Sequence, residues 1–90
     1  MSIVAVKIKV MPESPTTDLK HVQKNIEELL TENNVKNPQF EIQPIAFGLK
    51  ALILMFGWPE DREIENLEKK LQKIPGVSSI EIIDMRRAIG

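Results

Sequence analysis

The first ten residues, MSIVAVKIKV, set Val4, Val6, Ile8 and Val10 against Lys7 and Lys9. That period of two predicts a strand, which ends at Met11. PESPTTD follows as a loop in which Thr17 or Asp18 can cap a helix. Leu19, Val22, Ile26, Leu29 and Leu30 then recur at helical spacing, with His21, Lys24, Glu27 and Glu28 on the other faces. ENNVKNP breaks the pattern, and Phe40 to Ile42, alternating across Glu41, reads as a second strand with Pro44 at an edge or an end. After the turn in PIAFGLKA, Leu49 to Phe56 is apolar except for Lys50, as a central strand should be. GWPED is read as the loop that closes it. Asp61 is the expected N-cap of a second helix with a stripe of Ile64, Leu67, Leu71 and Ile74, stopped by Pro75-Gly76. A last strand, from Val77 to about Met85, is expected to present Ile80 and Ile82 on one face and Glu81, Ile83 and Met85 on the other.

The order strand, helix, strand, strand, helix, strand is the split βαβ or ferredoxin-like α+β plan. Right-handed crossovers would put both helices on one face of a four-stranded antiparallel sheet, with the first and third strands central. Ninety residues allow one such core, so residues 1–90 are read as a single domain. The pattern shows no linker or internal repeat.

Composition narrows the chemistry. With no Cys, thiol catalysis, disulfides and cysteine metal sites are excluded, and a reducing, cytoplasmic setting is expected. The opening residues lack the cleavage-site chemistry of a signal peptide, and no apolar run approaches the roughly 20 residues of a membrane span. A net charge of −1 leaves no electrostatic footprint for nucleic acid. His21 alone, on the polar flank of a helix, is read as a surface residue, so neither metal nor cofactor is expected. RNA binding on this plan uses aromatics on the two central strands. Here the first central strand has none and the third has only Phe56, near its end. Hydrolysis needs a nucleophile with its base or a phosphate-cradling loop, and no such constellation is present. The acidic run EDREIE is read as complementing a helix dipole.

Two features remain. Phe47 stands at a chain reversal beside Gly48, either folded onto the core or held out for insertion into something else. Arg86 and Arg87 follow directly on the last strand.

Three segments, KVMPESP, PIAFGLKAL and GVSSIEIIDMRR, together resemble the guanine-nucleotide exchange domain family of elongation factor 1-beta, and the chain is most similar to its short archaeal form. The likeness covers essentially the whole chain. It implies a translation factor without bond chemistry of its own, which releases GDP from the GTPase elongation factor 1-alpha so that GTP rebinds. In that family a lysine near the C-terminus enters the partner's nucleotide site and disturbs the bound Mg²⁺ and phosphates. An ungapped reading from Gly76 places that role on Arg87, with Arg86 as the neighbouring candidate. The family's aromatic at the matching turn contacts the GTPase, which places partner binding on Phe47 with Ile45 and Gly48 beside it. Strands of about 7 to 9 residues would set the two ends about 25 Å apart. The MPESP loop should share the Phe47 end and Gly57-Trp58-Pro59 the Arg87 end, with Trp58 packed against the sheet edge. The other reading of the same pattern is a regulatory or oligomerisation module with a small ligand; an RNA-binding domain ranks below both.

Overall fold

The computed structural model describes residues 2–88, the side chain of residue 88 excepted. The element order is β1 (Ile3–Pro12), α1 (Leu19–Glu32), β2 (Gln39–Pro44), a short 3₁₀ turn (Ala46–Gly48), β3 (Lys50–Pro59), α2 (Glu65–Gln72) and β4 (Val77–Ala88). The strands form one sheet in the order β2-β3-β1-β4, and every neighbouring pair is antiparallel. This is the ferredoxin-like α+β plan with β1 and β3 central.

Alternation supplies the core. Val6, Ile8 and Val10 of β1 lie opposite Phe56, Leu54 and Leu52 of β3, and all six are buried with Val22, Ile26 and Leu30 of α1 and Leu67 and Leu71 of α2. Both helices therefore present an apolar stripe to the same set of strand positions. The other face is half-covered: Ile53 is only 3% exposed there, flanked in register by Lys9 and Glu41, whose aliphatic stems can shield it.

Asp18 caps α1, its carboxylate accepting from the backbone N–H of Lys20 and His21 at 3.1 and 3.3 Å. The helix ends where Asn34 turns left-handed at φ 64°. Val35 N–H then bonds Leu30 O at 2.9 Å and Asn34 N–H bonds Thr31 O at 3.1 Å. That Schellman arrangement tucks Val35 into the core.

Five expectations need correction. The last strand does not end near Met85: β4 runs on to Ala88, so Arg86 and Arg87 stand within it instead of following it. The third strand does not stop at Phe56, because Gly57, Trp58 and Pro59 continue the ladder opposite Ala5, Val4 and Ile3. Gly57 makes this possible: a Cβ there would meet Ile3 Cγ2 at 3.0 Å. The extension displaces the second helix, so Asp61 does not cap it; α2 starts at Glu65 with no side-chain cap, and Glu65 and Glu68 in its first turn complement the dipole instead. Trp58 is buried, but on the helix face of a central strand rather than at a sheet edge. Met85 lies on the helix face as well, not the opposite one. Lys7 pairs with Asp84 while Ile8 pairs with Ile82, leaving Ile83 as the extra residue of a bulge. The residues after Ile83 are therefore out of phase with those from Ser79 to Ile82.

Candidate functional site

At one end of the sheet, β2 reverses into β3 through Ile45 to Leu49. Ile45 N–H donates to Leu49 O at 2.7 Å and Leu49 N–H to Ala46 O at 3.3 Å. Between these bonds Phe47 (φ 62°, ψ 31°) and Gly48 (φ 74°) are both left-handed. A Cβ on Gly48 would meet nothing within 4 Å, so glycine is required there by backbone angle and not by space. Phe47 has no such exemption, and a left-handed non-glycine residue costs about 1–2 kcal/mol. The outcome is a ring 95% exposed: it does not fold back onto the core. Ile45 beneath the turn is half-buried.

The opposite end gathers the starts of β1, the end of β3 and the end of β4. The shift at Ile83 decides where each arginine goes. Arg86 lies opposite Ala5 on the open face, its Nε 3.0 Å from Asp84 Oδ2. Arg87 lies opposite Val4, which pairs in turn with Trp58, so it is on the helix side. There Arg87 Nη2 pairs with Glu60 Oε1, and the guanidinium reaches past the first residues of β1 to the turn beyond β3.

That turn is clamped. The Trp58 indole N–H donates to Arg62 O at 2.8 Å, and the Arg62 guanidinium lies over the Trp58 ring, 4.5 Å from its centroid. Arg62 Nη1 and Nη2 then donate to the backbone and side-chain oxygens of Asn33 at 2.7 and 3.2 Å. The end of α1 is thereby tied to the turn. Sequence reasoning missed Glu60 and Arg62; the spacing of an aromatic and a guanidinium four apart in WPEDR was the available signal.

Between the two ends, β3 advances by eight residue steps from Lys50 to Trp58, which at about 3.3 Å each is about 25 Å. The molecule measures 41 × 23 × 20 Å, so Phe47 and Arg87 lie towards opposite ends of its long axis. The loop after β1 shares the Phe47 end and Gly57-Trp58-Pro59 the Arg87 end, as the strand registers require. His21 is exposed on α1. Among the described residues no three His, Cys, Asp or Glu side chains gather as metal ligands, and no helix is long and apolar enough to cross a membrane.

Fold and placement together define a ferredoxin-like domain with an aromatic turn at one end and two ion-paired arginines at the other. Compared with known proteins, residues 5–88 match the model of the EF-1 guanine nucleotide exchange domain. The chain belongs to that family. It is 41% identical over 88 residues to elongation factor 1-beta of Methanothermobacter thermautotrophicus, covering 97% of this chain and 98% of that protein. Against elongation factor 1-beta of Archaeoglobus fulgidus it is 43% identical over 90 residues, covering 94% and 97%. The Thermofilum pendens protein of the same name is 36% identical over the full length of both chains.

Proposed function

We propose that this protein releases GDP from elongation factor 1-alpha during translation elongation in the cytoplasm, docking through the Phe47 turn and acting on the nucleotide site through Arg87. The observation that carries this reading is the exposed Phe47 ring at a strained turn, about 25 Å from a cationic tip, in a chain of the exchange-domain family. Residues held in strained conformations of this kind cluster at binding and active sites. Ile45 and Gly48 hold the turn, and Arg86, ion-paired on the open face, is the secondary candidate for the tip.

Such a factor makes and breaks no covalent bond. It lowers nucleotide affinity by binding the nucleotide-free GTPase more tightly than the loaded one, and linkage requires the effect to be reciprocal. Arg87 supplies a planar cation that competes with the partner's Mg²⁺ for phosphate or carboxylate oxygens.

The test is single-turnover GDP release at saturating factor across a Mg²⁺ series. Arg87→Ala should slow the maximal rate far more than it weakens complex formation. Raised Mg²⁺ should oppose the wild type more than this variant. Full activity in Arg87→Ala with loss in Arg86→Ala would move the role to Arg86, and full activity in both and in the double variant would overturn the C-terminal mechanism.

A further inference from the structure

Resting on the assignment of Arg87 to the nucleotide site, the geometry points to Glu60 as a holster: a positioning residue that holds the Arg87 guanidinium in the free protein and must release it for each exchange event. Glu60 is not a loose surface carboxylate. Its own N–H donates to Ser2 O at 3.0 Å, and Arg62 N–H closes the turn onto Pro59 O at 3.1 Å. The Trp58–Arg62–Asn33 contacts tie the same turn to the end of α1. The carboxylate is thus presented at a fixed place beside the end of β4, on the face to which the Ile83 bulge sends Arg87. Both side chains remain in contact with water, Arg87 at 69% and Glu60 at 37% exposure, so the pair opens without disturbing the core.

This placement makes Glu60 a competitor for the anionic groups Arg87 would meet on a GTPase. An exposed ion pair of this kind biases its partners by about fivefold at most. The fraction of docked complexes with Arg87 free is reduced by that factor, and the maximal rate falls with it. Docking itself, assigned to the distant turn, is untouched.

The experiment compares wild type, Glu60→Gln, Arg87→Ala and the double variant in single-turnover GDP release from elongation factor 1-alpha. Gln keeps the size of the side chain and the backbone bond to Ser2 and removes the charge. Glu60→Gln should raise the maximal rate by about two- to fivefold at low ionic strength, with an unchanged half-saturating concentration. The gain should disappear in high salt, where an exposed pair is screened, and should be absent when Arg87 is already Ala. A slower or unchanged Glu60→Gln at low salt, with Arg87→Ala still defective, overturns the holster alone. The same gain in the Arg87→Ala background overturns it too, since Glu60 would then act through another group. An Arg87→Ala protein as fast as wild type overturns both this inference and the assignment it rests on.

Discussion

On the proposed reading, Phe47→Ala should separate docking from folding. The ring is 95% exposed, so its removal takes almost nothing from the core. Alanine also keeps the Cβ, and the left-handed strain at φ 62° is unchanged. Stability should therefore move by less than about 0.5 kcal/mol, which in a domain of this size is a shift of about 4 °C or less. Binding should behave differently. A Phe side chain carries about 150–250 Å², and covering most of it on a partner sets a ceiling of about 4–5 kcal/mol at 25 cal/mol per Å². After association costs, an anchor of this type loses about 2 kcal/mol or more on truncation, or about thirtyfold in affinity. The assay is the half-saturating concentration in GDP release from elongation factor 1-alpha, paired with thermal denaturation. Half-saturation should rise about thirtyfold while the maximal rate holds. A melting temperature lowered by about 8 °C or more with an unchanged half-saturating concentration would refute the reasoning and return Phe47 to a structural role.

Two further substitutions test the frame that carries these groups. Arg62→Ala removes the cation–π contact with Trp58 and both bonds to Asn33, and should cost about 1–2 kcal/mol in urea unfolding; an unshifted midpoint would show that the clamp contributes nothing. Gly76→Ala should also destabilise by about 1–2 kcal/mol, because Gly76 is at φ 90° and a Cβ there meets Thr17 and Val22 methyls at 3.1 Å. Equal thermal stability of wild type and this variant would refute the backbone argument.

The elements were legible because each buries one face by a simple period. Val4 to Val10 alternate, the stripes of α1 and α2 repeat every three or four residues, and the segment after the turn is apolar on both sides, as a central strand must be. What escaped the pattern was local chemistry that overrides it. Trp58 and Pro59 read as a loop because Pro and Gly punctuate chains, yet Gly57 is there to let β3 pass close to Ile3. Asp61 read as a cap because Asp favours that position, yet the extended strand left it outside α2. The bulge did leave a trace, since the apolar phase changes from Ile80 and Ile82 to Met85 across the adjacent pair Ile82-Ile83. The opposite-end placement of Phe47 and Arg87 follows from topology and was legible. The Glu60–Arg87 pair was not, because its members are 27 residues apart and meet only through the register of two strands flanking β1.

That register also bears on why an arginine is suited to this end of the sheet. In an edge strand of unbroken alternation, the residue opposite Val4 would be Arg86, and Arg87 would face the open side. The extra residue at Ile83 exchanges them, so one bulge selects which guanidinium meets the clamped turn. The contact it makes there uses Nη2 alone. A guanidinium has five N–H donors in a fixed plane, so Nη1 and Nε remain available to other acceptors while Nη2 is held. An ammonium has three donors as well, but it lacks the planar fork that grips a carboxylate or phosphate through two parallel bonds. On the proposed reading, Nη1 and Nε can meet an incoming oxygen before Nη2 leaves Glu60, which must still release it before Arg87 acts fully on the nucleotide site. On this account the holster and the choice of guanidinium are parts of the same device, and the bulge is what brings them together.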